Sequence, residues 1–158
     1  MTTVTSILKQ ALAHETQGAA IYSQAAEITT HDESRMLFLE LAQMEEGHAK
    51  QLIDRAAKAG ADVDCDELKQ FVDAEEEKPA PPQMLQEIAN GDMRGVLNVA
   101  LRFEQEAVQN YRTLLEMAQS NEMKILCQEL VQEEEDHVKQ IERTLLSLDW
   151  GIEERPDL

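Results

Sequence analysis

Apolar side chains recur at intervals of three and four residues along four long segments of the chain. This spacing places them on one face of an α-helix, so each segment is predicted to be a helix of about 24–28 residues. Gly60 is predicted to end the second helix because glycine adopts the left-handed conformation of a helix C-cap. The predicted helices cover residues about 5–28, 32–59, 92–118 and 121–148.

The connections between these helices differ in length. About three residues join the first helix to the second and the third to the fourth, which predicts two antiparallel hairpins. About 30 residues separate the hairpins, with two short helices predicted at Asp66–Ala74 and Gln83–Asn90. Two hairpins joined by one long crossover are the arrangement of a ferritin-like antiparallel four-helix bundle. We expect a single domain over 1–158, with hairpins at about 5–59 and 92–148, a crossover at about 60–91 and a tail at 149–158.

The two hairpins repeat one another in sequence. An ungapped offset of 89 residues aligns Tyr22 with Tyr111 and His48 with His137, and about a third of the positions over some 50 residues are identical. Because tyrosine and histidine are rare in this chain, their coincidence indicates an internal duplication. The bundle is therefore expected to have an approximate two-fold axis that relates the hairpins.

Composition and charge narrow the class of protein. Aromatic residues make up 4% of the chain and there are 6 glycines, which favours an all-α fold over a β-sandwich or barrel. A net charge of -18 argues against nucleic acid and against anionic membranes as partners. No apolar run reaches the roughly 18 residues of a membrane span, and we see no signal peptide. With two unpaired cysteines, the chain is expected to be cytoplasmic and to lack a zinc ribbon or rubredoxin-type iron site.

Each apolar stripe carries a glutamate near its middle. In the second and fourth helices a histidine follows this glutamate by three residues, which puts both side chains on one face one turn apart. A single such glutamate is typical of a partly exposed helix edge, and one Glu-x-x-His is a weak signal in a chain this rich in Glu. The joint pattern in four helices favours a shared site. The predicted metal ligands are Glu15, Glu45, His48, Glu104, Glu134 and His137.

Burial of these carboxylates needs a partner. Carboxylates buried without one cost several kcal/mol each or stay protonated, and the stripes carry too few basic residues to pair them. Four carboxylates and two imidazoles suit two iron ions, with manganese or a mixed metal pair as alternatives. The competing interpretation is a metal-free interaction bundle.

Other ionisable residues are assigned lesser roles. Tyr22 and Tyr111 lie two turns from the glutamates on their stripes, where they either hydrogen-bond ligand carboxylates or pack at the bundle ends. His14 is expected to be an ordinary surface group. Glu133 is out of phase with the ligand stripe and is expected to lie outside the site.

At these residues the chain resembles the ferritin-like di-iron carboxylate proteins, and within them the rubrerythrin-like branch. The resemblance lies in the stretches from Glu15 to Tyr22, Phe38 to His48, Glu104 to Tyr111 and Leu130 to His137. It implies one terminal glutamate and one imidazole per metal, with two bridging carboxylates. The implied terminal ligands are Glu15 and Glu104, the bridging ones Glu45 and Glu134, and the imidazoles His48 and His137.

The resemblance also implies redox chemistry with O2 or hydrogen peroxide. Rubrerythrins have a further carboxylate one turn after the third-helix glutamate, where this chain has Ala107, with Glu106 out of phase. Without a rubredoxin domain, electrons must come from an external donor. A ferroxidase or iron-handling protein is the alternative, and a di-iron monooxygenase ranks below it. Related bundles form dimers, so a homodimer is left open.

Overall fold

Six α-helices form the computed structural model, which describes residues 3–30, 32–90 and 92–149. Within these ranges no β-strand is present, and the predicted all-α fold is confirmed. The four long helices begin and end within two residues of their predicted bounds, and both short crossover helices are present. The predicted tail lies outside the described residues, apart from residue 149. The helices are α1 (Val4–Ile28), α2 (Asp32–Lys58), α3 (Cys65–Glu76), α4 (Pro82–Asn90), α5 (Met93–Met117) and α6 (Asn121–Asp149).

Gly60 terminates α2 as the spacing predicts. Its φ of 89° lies in the left-handed region that side chains with a Cβ disfavour. The Gly60 N–H donates to Ala57 O at 3.1 Å, and the Ala61 N–H donates to Ala56 O at 3.0 Å. These two bonds are a Schellman motif, which satisfies carbonyls that the last helical turn leaves unpaired.

Ser120 connects the end of α2 to the start of α6. Its Oγ accepts a hydrogen bond from the Met123 N–H at 3.0 Å, which caps α6. The same hydroxyl donates to Ala59 O at 2.8 Å. One side chain therefore links the residue after α2 to the first turn of α6.

The helices pack as two hairpins, α1 with α2 and α5 with α6, and α1 lies along α5. Within the crossover, α3 packs on α1 and α2, and α4 packs on α5 and α1. Over the described ranges, no helix is both long enough and apolar enough to cross a membrane.

The apolar core is divided into two clusters by a layer of ionisable side chains. The first cluster contains Leu8, Leu12, Leu52 and Leu130. The second contains Tyr22, Phe38, Leu41, Leu97 and Ile141. At the middle of the bundle, all four long helices thus place carboxylates between apolar side chains.

Two glycines test this account of the helices. We expect Gly60→Ala to lower the free energy of unfolding by about 1–2 kcal/mol, because alanine is strained at positive φ. Gly47→Ala should raise it by about 0.5–1 kcal/mol, because Gly47 is inside α2 and a Cβ there meets no atom within 4 Å. Urea denaturation of the metal-free protein measures both. Equal changes in the two variants would contradict the assignment of the C-cap.

Candidate metal centre

Six ionisable side chains from the four long helices meet between the two apolar clusters. The four glutamates are each at most 1% exposed, and the two histidines are nearly enclosed. The structure thus brings together all six residues that the sequence pattern selects. Glu15 comes from α1, Glu45 and His48 from α2, Glu104 from α5, and Glu134 and His137 from α6.

The six side chains form two overlapping groups of four. In each group, one ligand atom from every residue lies within 4.8 Å of the others. Glu45 and Glu134 belong to both groups, so their carboxylates lie between the two positions. The groups are Glu15, Glu45, His48 and Glu134, and then Glu45, Glu104, Glu134 and His137.

Both imidazoles turn Nδ1 towards the carboxylates. His48 Nδ1 lies 3.1 Å from Glu134 Oε1 and 3.5 Å from Glu15 Oε2. His137 Nδ1 lies 3.1 Å from Glu134 Oε2 and 3.5 Å from Glu104 Oε2. The rings are 6.0 Å apart between centroids and 15° from parallel. The contacts with Glu15 and Glu104 are counterparts in the repeat and have the same length. The repeat is not exact, because both imidazoles approach Glu134, whereas His137 Nδ1 lies 3.9 Å from Glu45 Oε1, the counterpart of Glu134.

Several buried atoms of this cluster lack a hydrogen-bond partner among the residues that the structure describes. Buried polar atoms are almost always paired, so a group of orphaned atoms in one place requires an explanation. Their carboxylate oxygens and imidazole nitrogens are the ligand types of iron and manganese, and four carboxylates balance the charge of two divalent ions. The residues present fit two such ions. The orphaned atoms of the six residues are Glu15 Oε2, both Glu45 oxygens, His48 Nδ1, Glu104 Oε2, Glu134 Oε1 and His137 Nε2.

In the metal-free protein, protons on some of these side chains take the place of the metal charge. Burial raises the pKa of Glu45 well above its usual range, and the charges of Glu15 and Glu104 add to this. Burial alone would lower the pKa of His48, but the carboxylates beside it raise that pKa to about 12. The pKa of His137 is likewise raised, to about 10, by Glu104 and Glu134 against the effect of burial. Protonated imidazoles thus compensate part of the carboxylate charge.

Each buried tyrosine donates to a glutamate of the opposite hairpin. Tyr22 Oη donates to Glu104 Oε1 at 2.7 Å, and Tyr111 Oη donates to Glu15 Oε1. Burial, followed by the nearby carboxylate charges, raises the pKa of both phenols well above 10. They therefore remain protonated donors. The sequence indicated such bonds as one of two alternatives but did not show that they cross between hairpins.

Glu133 lies against the site, so the expectation that it lies outside is wrong. Its Oε2 is 3.0 Å from His48 Nε2, the ring nitrogen that faces away from the cluster. Helical periodicity placed Glu133 off the stripe of α6. It could not show that α2 brings an imidazole to that side of α6, and we find no signal in the sequence that would have done so.

His14 is likewise not a surface group. Its side chain is 10% exposed and stacks on Phe103 with 3.7 Å between ring centroids. The His14 Nε2–H donates to Phe103 O at 2.8 Å. Nearby, a Cβ on Gly18 would lie 2.6 Å from Phe103 Cε1, so this close approach of α1 and α5 requires glycine.

The position one turn after Glu104 carries no additional carboxylate. Ala107 is buried at 1% exposure, and the Glu106 side chain is 70% exposed beside His14. The cluster therefore consists of four carboxylates and two imidazoles, with Glu133 behind one of them.

An all-helical bundle with a buried cluster of Glu and His, able to hold metal ions, defines the class of ferritin-like proteins. Within that class, the sequence profile of the Rubrerythrin family matches residues 6–141. The chain belongs to the rubrerythrin family. Comparisons with curated proteins and with solved structures gave no match.

The raised pKa values predict how stability depends on pH when no metal is bound. A histidine whose folded pKa exceeds its unfolded value of 6.5 stabilises the protein fully below pH 6.5 and progressively less above it. For His137 this loss extends to about pH 10, and for His48 to about pH 12. We therefore expect Tm in excess EDTA to fall from pH 6.5 to 9.5. His137→Gln should show a shallower fall, and a Tm that rises over this interval would contradict the assignment.

Proposed function

We propose that the protein binds two iron ions in this cluster and reduces hydrogen peroxide or O2 with electrons from an external donor. The observation that supports this most strongly is the pair of four-residue groups that share Glu45 and Glu134. Shared carboxylates between two complete ligand sets are what a dinuclear centre needs, whereas a single metal would leave one set unused. Membership of the rubrerythrin family supports the same function.

The geometry suggests a role for each side chain. Glu15 with His48 would hold one ion, and Glu104 with His137 would hold the other, because each pair belongs to one group alone. Glu45 and Glu134 would contact both ions. We assign manganese and mixed metal pairs as alternatives, since the same ligands suit them.

The tyrosines orient the two terminal carboxylates. Tyr111 donates a hydrogen bond to Oε1 of Glu15, and Tyr22 donates one to Oε1 of Glu104. In both glutamates the other oxygen, Oε2, has no hydrogen bond from the described residues and faces an imidazole of its own group. Each tyrosine therefore fixes the rotation of a carboxylate so that one oxygen remains for a ligand contact.

Reduction of one hydrogen peroxide molecule to two waters requires two electrons and two protons. Two iron ions, alternating between ferrous and ferric, would supply the two electrons that convert H2O2 and two protons into two waters. The phenols of Tyr22 and Tyr111 hold protons at Oη beside the ligand carboxylates. The apolar clusters above and below the layer keep bulk water away from it.

Anaerobic titration of the metal-free protein with Fe(II) tests the proposal. We expect two ions per chain, followed by ferric absorption in the near ultraviolet when peroxide is added. Glu45→Ala and His137→Ala should each lose at least one ion. Glu46→Ala is the matched control, because Glu46 is adjacent in sequence but exposed beside Lys50, and it should keep both ions.

Turnover separates the redox function from iron handling. With excess ascorbate as reductant, repeated additions of peroxide should be consumed by the loaded protein. A single oxidation without turnover would favour the ferroxidase or iron-handling alternative. Binding of no iron by the unmodified chain would overturn the proposal.

A further inference from the structure

The two imidazoles differ in what lies behind them. His48 Nε2 is 3.0 Å from Glu133 Oε2, whereas His137 Nε2 is buried and makes no hydrogen bond to any described residue. Under the 89-residue offset, the position that corresponds to Glu133 is Met44, whose side chain offers no carboxylate. The approximate two-fold symmetry therefore relates the six predicted ligands to one another but does not extend to the residues behind the imidazoles.

Glu133 is held between the site and the surface. Its Oε2 is buried, makes no hydrogen bond within the described part of the chain, and contacts the His48 ring. Its Oε1 lies 3.9 Å from a guanidinium nitrogen of Arg55, and Arg55 corresponds to Thr144 in the repeat. Neither the carboxylate nor the cation beside it therefore has a charged counterpart at the equivalent position of the repeat.

This difference affects the ability of each ring to bind a metal. A neutral imidazole carries its proton on one nitrogen and binds a metal with the other. The negative charge of a carboxylate 3.0 Å from Nε2 favours the tautomer with the proton on that nitrogen, which leaves the lone pair of Nδ1 directed into the cluster. His137 has no such partner, so part of its binding free energy must be used to select the tautomer and hold the ring.

We propose that Glu133 is a positioning residue that makes the Glu15–His48 position the tighter of the two, so that metal binds in two distinct steps. The inference rests on the proposed two-metal function. Loss of a group that orients a metal-bound histidine typically lowers metal affinity by about 10–100-fold. We expect the two dissociation constants to differ by about this factor.

Calorimetric titration of the metal-free protein with Co(II) measures both steps. In Glu133→Gln, the tight step should weaken by about 10–100-fold while the second step is unchanged. Glu129→Gln is the matched control: it removes the same charge one turn earlier on α6, and Glu129 also contacts Arg55, at 3.0 Å, without reaching His48. It should bind as the unmodified chain does.

Ligand variants identify which position is filled first. His137→Ala should retain a tight step for one ion that depends on Glu133, and His48→Ala should leave only the weaker step. Circular dichroism of each metal-free variant checks that the helices persist.

The outcomes separate this inference from the proposed function. If Glu129→Gln and Glu133→Gln weaken Co(II) binding equally, the effect comes from the overall charge of the protein and not from the contact with His48, and the inference is overturned. Two steps of equal affinity, unaffected by Glu133→Gln, would also overturn it while leaving a two-metal site intact. Binding of no Co(II) by the unmodified chain would instead count against the proposed function.

Discussion

Mutual repulsion among four buried carboxylates is the constraint on which the rest of the structure depends. Helices from both hairpins must deliver these groups to one level, and each must be neutralised by a proton, an imidazole or a metal ion. Without metal, protons retained by Glu45, His48 and His137 do this in part. The apolar clusters on either side then supply the stability that the charged layer cannot, because they bury leucine and aromatic side chains from all four long helices.

The sequence predicted the helices and the six clustered residues because both depend on periodicity within one helix. A residue on an apolar stripe faces the core whatever the neighbouring helix does, so a mid-stripe glutamate in each segment implied one buried layer. The repeat then related the two halves. The role of Gly60 could also be predicted from its place at the end of a periodic segment, since the physics of capping is local.

What the sequence could not predict depends on contacts between helices. Glu133 touches His48 because of the register of α2 against α6, and a periodicity taken from each helix separately carries no register. The tyrosines bond across the bundle for the same reason. His14 is hidden by the ring of Phe103, although both residues lie outside the stripe of ligands.

The contact between α1 and α5 has a consequence for the two halves of the chain. His14 and Phe103 occupy equivalent positions in the repeat, and they stack on each other across the approximate axis. Gly18 leaves the room that the Phe103 ring fills, whereas its counterpart is Ala107. If the second hairpin had the sequence of the first, a histidine would face His14 in place of Phe103, and the space beside Gly18 would not be filled by the phenylalanine ring. The duplicated halves have thus become complementary, and neither can replace the other.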